Sequence, residues 1–239
     1  MWEAEIPVFS RTARVIAPDL PGFGKSPRQA APAIPEMARA VGELLDHLNV
    51  REPAFVAGLS MGGYVAFEFV RNFPARVKAL GLFSTRAAPD TPEGRENRLK
   101  TAQKIRTEGL GSFPQTVMPR LVGKTTLQSR AAVVEQVTQL ILANEPEGVA
   151  DALVAMADRR DSSDLLAGLS CPVFVITGDE DSFIPVSEAG ALAQAIPGAK
   201  LEVIPRAGHL VNLEQPDPFQ QAVAGFIRGC RIYSREDLT

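Results

Sequence analysis

The chain has 239 residues, of which 45% are apolar and 22% charged, with a formal net charge of -3. These values suit a globular domain, give no basic surface for nucleic acid, and leave no apolar run near the ~18 residues of a membrane span. Cys171 and Cys230 form no close-spaced motif, and two histidines are too few for a histidine-rich metal site. We therefore expect no nucleic-acid partner, no membrane partner and no metal. Because the first residues lack the basic-then-apolar order of a signal peptide, we expect a cytoplasmic location.

Short apolar runs alternate with amphipathic patterns along most of the chain. The apolar runs predict strands at Arg14–Ala17, Ala54–Gly58, Val77–Phe83, Pro172–Gly178 and Lys200–Pro205. The amphipathic patterns predict helices at Pro35–Leu48, Met61–Phe73, Val186–Ile196 and from Asp217 onward, with Asp217 as N-cap and Pro218 in the first turn. Strands that alternate with helices pair in parallel, so the predicted fold class is α/β, with a mostly parallel sheet covered by helices on both faces.

Residues 89–160 interrupt the alternation, because no convincing strand occurs there. Helices are predicted at Gly94–Thr107, Thr125–Ala143 and Gly148–Ala157. Such an insertion is typical of a lid over the carboxyl ends of the strands, the edge where parallel sheets bind ligands. The predicted organisation is a core in two parts, residues 1–88 and 161–239, with a helical cap at 89–160.

The segment PDLPGFGKS at 18–26 ends in Gly-Lys-Ser, as a phosphate-binding loop does. That loop requires a glycine where this chain has Asp19, and a helix that starts at once, which Pro27, Pro32 and Pro35 oppose. The segment is therefore interpreted as a turn, and no nucleotide cofactor is expected.

The sequence GLSMGG at 58–63 joins a predicted strand to a predicted helix, the context required of Gly-x-Ser-x-Gly. A sharp turn of this kind exposes the Ser60 hydroxyl as a nucleophile, and side chains at Gly58 or Gly62 are expected to collide with neighbouring backbone. The Met61 amide, at the helix N-terminus, is the candidate oxyanion donor.

A nucleophilic serine needs a base, and the base needs an orienting carboxylate. His209 follows the strand at Lys200–Pro205, on the same sheet edge as Ser60, whereas His47 belongs to an amphipathic helix and is interpreted as an exposed helix residue. Three carboxylates, Asp179, Glu180 and Asp181, follow the strand at Pro172–Gly178. The order serine, acid, histidine fits this kind of sheet, but the residues alone leave the three carboxylates as alternatives.

Over nearly its whole length the chain resembles the serine-nucleophile branch of the α/β-hydrolase superfamily, in its esterase and enol-lactonase-like members. The segments that carry the resemblance are RVIAPDLPGFGKS, VAGLSMGGYVAFEF, VFVITGDEDSFIP and VIPRAGHLVNLEQPDPF. The family pattern Gly-x-x-Asp-x-x-x-Pro falls on Gly178, Asp181 and Pro185, so the resemblance implies that Asp181 is the acid. It also implies that the cap is inserted after the sixth family strand and that PDLPGFGKS is the turn after the fourth.

One family feature has no counterpart here, namely the His-Gly segment that usually supplies a second oxyanion amide. The first three family strands are also missing, and the chain starts at what resembles the following helix, Trp2–Phe9. We expect the sheet position between Arg14–Ala17 and Ala54–Gly58 to be empty, closed by direct pairing, or filled by another chain.

The resemblance implies a serine hydrolase that cleaves an ester, a lactone or a related acyl bond through Ser60, His209 and Asp181, without organic cofactor or metal. The alternative is a small-molecule receptor or a catalytically impaired binding protein on the same fold. The expected partner is a small-molecule acyl substrate, and association into a homo-oligomer stays open. Five cap cations could favour a carboxylate-bearing substrate or form a solvated helix face: Arg95, Arg98, Lys100, Lys104 and Arg106.

Overall fold

Four parallel strands form the sheet of the protein, whose computed structural model describes residues 1–29 and 33–230. The strands are β1 (Ala54–Leu59), β2 (Val77–Phe83), β3 (Val173–Gly178) and β4 (Lys200–Ile204), in the order β1-β2-β3-β4. The register aligns Leu59 with Phe83 and Phe83 with Ile176. The carboxyl ends of β1, β2 and β3 therefore lie side by side. Residues 231–239, at the end of the predicted second core part, lie outside the described residues.

Helices fill the connections between these strands. The described residues contain α1 (Ile6–Phe9), α2 (Ile34–His47), α3 (Met61–Asn72), α4 (Pro92–Glu108), α5 (Phe113–Leu121), α6 (Lys124–Ser129), α7 (Ala131–Leu142), α8 (Pro146–Ala157), α9 (Ser163–Leu166), α10 (Val186–Gln194), α11 (Val211–Glu214) and α12 (Pro216–Gly229). A short 3₁₀ turn, Pro74–Arg76, precedes β2. None of the described helices is long and apolar enough to cross a membrane.

The two faces of the sheet carry separate apolar cores. Successive side chains of a strand point to opposite faces, so Leu80 and Leu82 of β2 pack with α2, α3 and α10, whereas Phe83 packs with α12 on the other side. On that second face, Phe83 meets Phe219 edge-on, with ring centroids 5.1 Å apart. A strand that is buried on both faces needs side chains that are apolar throughout, as in β3, VFVITG, whereas the edge strand β4, KLEVI, is largely exposed.

The strand predicted at Arg14–Ala17 is wrong, because these residues form no ladder with any strand in the described part of the chain. A strand is stable only when a neighbour accepts its backbone hydrogen bonds, and among the described residues β1 pairs with β2 alone. Residues 13–20 and β1 instead both line an open cleft. Of the three arrangements expected for this position, direct pairing of Arg14–Ala17 with β1 is wrong for the described residues.

The segment PDLPGFGKS forms a turn, as predicted, and no helix starts at Lys25. The Asp19 carboxylate accepts a hydrogen bond from the Lys25 amide at 3.0 Å, and the Ser26 hydroxyl donates to the Asp19 carbonyl at 2.7 Å. These bonds close the loop on itself. Pro32, one of the three prolines cited against a helix here, lies outside the described residues.

Several predicted helices differ in extent from those observed. The predicted helix Thr125–Ala143 is divided into α6 and α7 at Arg130, whose φ of -130° leaves the helical range and whose guanidinium donates to the carbonyl of Glu214. The last helix starts at Pro216, not after Asp217, because a proline without an amide hydrogen fits the first turn. The helix expected at Trp2–Phe9 extends only over Ile6–Phe9.

Candidate active site

The turn between β1 and α3 holds Ser60 in a conformation that few residues adopt, with φ 55° and ψ -114°. Backbone strain of this kind costs about 1–3 kcal/mol, and it persists only when the surroundings enforce it. Here the Ser60 amide donates to the carbonyl of Phe83 at 2.8 Å, and the Thr85 hydroxyl donates to the carbonyl of Ser60 at 2.9 Å. Both restraints come from β2 and the residues that follow it, so the sheet itself fixes the serine.

Two glycines permit the close approach of strand and helix at this turn. A Cβ atom at Gly58 would lie 2.0 Å from the carbonyl oxygen of Gly62, and one at Gly63 would lie 2.4 Å from Oγ1 of Thr85. The predicted collision at Gly58 is confirmed, but the one predicted at Gly62 is wrong, since a Cβ there meets nothing within 4 Å. Gly62 faces the cleft, and the residue that sequence reasoning missed is Gly63.

His209 lies between Ser60 and Asp181 and contacts both. Its Nε2 is 2.7 Å from Oγ of Ser60, and its Nδ1 is 3.0 Å from Oδ2 and 3.2 Å from Oδ1 of Asp181. The histidine and the aspartate are 5% and 6% exposed, respectively. The structure thus brings the three predicted residues together in one hydrogen-bonded chain. His47 is exposed on α2, far along the chain from this group.

The Asp181 carboxylate is kept ionised by its contacts. Burial alone raises the pKa of this carboxyl, but the hydrogen bond and the charge of His209, with the amides of Ile184 and Phe183, outweigh burial and hold the pKa below its ordinary value. Those two amides donate to Oδ1 at 2.9 and 2.8 Å. An ionised carboxylate fixes the imidazole with its Nδ1 proton toward Asp181 and its Nε2 lone pair toward Ser60.

The two neighbouring carboxylates have other partners. Asp179 accepts a hydrogen bond from the Arg206 amide at 2.7 Å. Glu180 accepts from the amide and the hydroxyl of Thr125, at 2.8 and 2.6 Å, and so links the loop after β3 to helix α6. Of the three carboxylates that the sequence left open, Asp181 is the one that meets the histidine.

Glu214 fixes the backbone next to His209, and the sequence analysis did not single it out. Its side chain is fully buried and accepts hydrogen bonds from the Gly208 amide at 3.0 Å, the Gly123 amide at 2.8 Å and the Thr126 hydroxyl at 2.7 Å. One carboxylate therefore joins the residue before His209 to the start of α6. The available signal was a charged residue in a short segment, HLVNLEQP, that is otherwise poor in charge.

A cleft of about 1570 Å³ opens above Ser60 and His209. Its lining includes Met61 and Gly62, residues between 13 and 23, β1, and the cap helices α4, α5 and α8. Met61 is the first residue of α3, and first-turn amides have no acceptor within their own helix. The Met61 amide is therefore placed to donate to an oxygen bound beside Ser60.

The five cap cations considered above are all paired with carboxylates, which favours the interpretation as a charged helix face. Their shortest ion-pair distances are 2.5 Å for Arg95–Asp158, 2.5 Å for Arg98–Asp90, 2.7 Å for Lys100–Glu96, 3.8 Å for Lys104–Glu108 and 2.8 Å for Arg106–Asp151. An arginine that the sequence analysis passed over, Arg120, also lines the cleft and stacks on Phe183, with Cζ 4.3 Å from the ring centroid.

The site has the form of an α/β hydrolase. A serine lies on a strained strand-to-helix turn, and a histidine and an aspartate follow the ends of later parallel strands. Inserted helices cover all three. The comparison with known families agrees: the model described as the alpha/beta hydrolase fold matches residues 1–216. The chain belongs to this family and is an enzyme of the hydrolase class.

Relatives of known structure or activity cover most of the chain. A thermophilic esterase from Thermogutta terrifontis, solved with malate bound, is 41% identical, with a TM-score of 0.93 over 98% of this chain and 85% of its own. The 3-oxoadipate enol-lactonase 2 of Acinetobacter baylyi is 30% identical over 95% of this chain and 84% of the relative. The enol-lactonase of Burkholderia xenovorans is 27% identical, with a TM-score of 0.86 over 95% of this chain and 85% of its own.

Proposed function

We propose that the protein hydrolyses a carboxylic ester, a lactone or a related acyl bond, with Ser60 as nucleophile, His209 as general base and Asp181 as the orienting acid. The observation that carries the proposal is the hydrogen-bonded chain from Oγ of Ser60 through both imidazole nitrogens to the Asp181 carboxylate, with links of 2.7 and 3.0 Å. These distances lie within the 2.6–3.2 Å range typical of an activated nucleophile.

The first half of the reaction acylates the serine. As Oγ of Ser60 attacks the acyl carbon, Nε2 of His209 takes the hydroxyl proton and the carbonyl oxygen becomes an oxyanion. The Met61 amide donates a hydrogen bond to that oxyanion, where the positive end of helix α3 adds further stabilisation. Collapse of the tetrahedral intermediate breaks the bond to the leaving alkoxide, which takes the proton from His209. The result is an acyl-serine.

The second half returns the serine to its free form. His209 removes a proton from water, the resulting hydroxide attacks the acyl-serine, and Ser60 leaves with the proton that His209 carried. The products are a carboxylic acid and the alcohol, or a hydroxy acid when the substrate is a lactone. Asp181 stays ionised throughout and stabilises the imidazolium that forms twice in each turnover.

The relatives support this choice of reaction, because they include an esterase and two enol-lactonases that align with nearly the whole chain. Both kinds of enzyme cleave an acyl carbon–oxygen bond, and the chemistry derived above is the same for an open ester and a cyclic one. The carboxylic ester is therefore the bond class that we assign.

Labelling with a fluorophosphonate tests the proposal, since only a serine activated by a base reacts with it. We expect one covalent adduct, located at Ser60 by peptide mass spectrometry and absent from the Ser60→Ala variant. Ser129→Ala is the matched control, because that exposed hydroxyl bonds only within its own helix, to the Thr125 carbonyl. An unlabelled wild-type protein would contradict the proposal and favour a binding protein on the same fold.

A further inference from the structure

We propose that Arg120 forms an anion-binding subsite at the rim of the cleft, so that the preferred acyl substrates carry a carboxylate on the acyl chain. This inference rests on the function proposed above and adds the substrate class. It assigns to Arg120 a role in binding, while the chemistry stays with Ser60 and His209.

The position of Arg120 relates it directly to the reacting groups. It lies in the last turn of α5, and its exposed side chain lines the same cleft as Ser60 and His209. Its guanidinium covers one face of Phe183, at 4.3 Å from the ring centroid, and the Phe183 ring meets the His209 ring at an angle of 60°, with centroids 5.0 Å apart. A single aromatic ring therefore separates the cation from the imidazole, which suits a short acyl chain.

Within the described part of the chain, no carboxylate pairs with the charge of Arg120. Of the three other arginines that line the cleft, Arg98 pairs with Asp90 at 2.5 Å and Arg86 with Glu188 at 3.0 Å. The third, Arg14, donates to the Leu48 carbonyl at 3.4 Å. For Arg120, no ion pair with an aspartate or glutamate occurs within the described ranges 1–29 and 33–230, and its side-chain contact is the ring of Phe183. A carboxylate that enters the cleft meets this guanidinium without displacing a resident anion.

Stacking prepares the guanidinium for a carboxylate. A planar guanidinium that lies over a ring uses its face for that contact, and its N–H donors point outward around the edge. The edge of the fork matches the two oxygens of a carboxylate, and such bidentate pairs are stronger than neutral hydrogen bonds. The ring also limits the motion of a long side chain, so less rotamer freedom is lost on binding.

A structural role and a binding role for Arg120 predict different changes in kinetics. If Arg120 only held Phe183 against His209, its loss would impair every substrate alike. If it binds an anion, its loss would raise KM for charged substrates and leave their neutral analogues almost unchanged. The comparison therefore needs two substrates that differ in charge alone.

The experiment compares hydrolysis of monoethyl glutarate with that of its monoamide, in which a neutral amide replaces the free carboxylate. Wild type, Arg120→Gln, Arg120→Lys and Arg95→Gln are measured, the last as a control because Arg95 is another exposed cap arginine, paired with Asp158. We expect Arg120→Gln to raise KM for the half-ester about 10-fold or more, the scale of one charge-assisted hydrogen bond. For the half-ester, the KM of Arg120→Lys should lie between those of wild type and Arg120→Gln. Added salt should raise KM for the half-ester alone.

Equal losses for both esters, or none for either, would overturn the subsite and leave the proposed function intact. Failure of every variant and of wild type to hydrolyse either ester would instead count against the proposed function. In that event, calorimetric titration of glutarate into wild type and Arg120→Gln decides the subsite without turnover. Weaker binding to the variant supports the subsite, and unchanged or undetectable binding to both proteins contradicts it.

Discussion

Asp181 contacts His209 through both carboxylate oxygens, at 3.0 and 3.2 Å from the same nitrogen, Nδ1. The same carboxylate accepts hydrogen bonds from two backbone amides, those of Phe183 and Ile184. The acid is thus fixed by its own loop before it orients the imidazole. This arrangement explains why one of three neighbouring carboxylates, and not the other two, can serve the histidine.

Replacement of this acid by its amide should nearly abolish turnover. In Asp181→Asn the side chain cannot supply the negative charge, and the imidazole no longer keeps its Nδ1 proton toward residue 181. We expect kcat for an ester to fall about 10⁴-fold, with a smaller change in KM. Asp179→Asn is the control, because Asp179 bonds the Arg206 amide. An equal loss in that variant would show that the acid has been assigned to the wrong residue.

Glu214 should act as a positioning residue for His209. In Glu214→Gln one side-chain oxygen becomes an NH₂ group that faces an amide donor, either Gly208 or Gly123. A buried donor left without an acceptor costs about 1–3 kcal/mol of folding free energy. We expect a lower melting temperature and a lower kcat with KM little changed, measured against Glu135→Gln on the exposed side of α7. A variant that loses stability but keeps full kcat would limit Glu214 to a structural role.

Asp90 should make the cap sensitive to acid. Burial alone raises the pKa of this carboxyl, but Arg98 and Arg159 outweigh burial and hold the pKa below its ordinary value. The ion pair with Arg159 is 2.9 Å long and nearly buried. Because the pKa is lower in the folded protein, the stabilisation is complete above the ordinary carboxyl pKa of about 3.9 and is lost as the pH falls through the folded value.

The measurement for Asp90 is the melting temperature of wild type and Asp90→Asn as a function of pH. At neutral pH the variant should melt lower, since Arg159 keeps a buried charge without its partner. The gap between the two proteins should narrow as the pH falls below about 4. A gap that stays constant across this range would mean that ionisation of Asp90 does not stabilise the cap.

Two adjacent glycines provide a matched pair of substitutions at the nucleophile turn. Gly63→Ala forces a Cβ against Thr85, which also bonds the Ser60 carbonyl, so we expect a loss of about 1–3 kcal/mol and reduced activity. Gly62→Ala adds a methyl group in open space within a helix, where alanine is favoured over glycine by about 0.5–1 kcal/mol. Unfolding curves in urea check both. Equal destabilisation by the two would show that the turn is not packed as described.

The sequence was sufficient for the elements whose signals are local. The four observed strands are mainly apolar, and their predicted ends lie within a residue of those observed, so Ser60 and His209 could be placed at one sheet edge. Arg14–Ala17 has an equally good strand composition, but a ladder also requires a neighbour, which composition does not report. The break at Arg130 is another such case, because it involves the carbonyl of Glu214, far away in sequence.

The parts of the site that escaped prediction depend on contacts between distant segments. Glu214 joins a cap helix to the histidine loop, across 91 residues to Gly123. Arg120 is distinguished from the paired cap cations by the contact of its guanidinium with Phe183, 63 residues away in sequence. Arg120 has no spacing or motif that marks it, since charged residues on cap helices are common.

The kinetics of Ser60→Ala, His209→Ala and the double variant test the central claim most directly. When two residues act in one chemical step, the effects of replacing them are not additive. The double variant should therefore hydrolyse an ester about as slowly as either single variant. All three should keep the wild-type circular dichroism spectrum, because the substitutions shorten side chains without entering the backbone hydrogen bonds of the turn. Losses that multiply, or a single variant that keeps most of its activity, would contradict a shared serine–histidine mechanism.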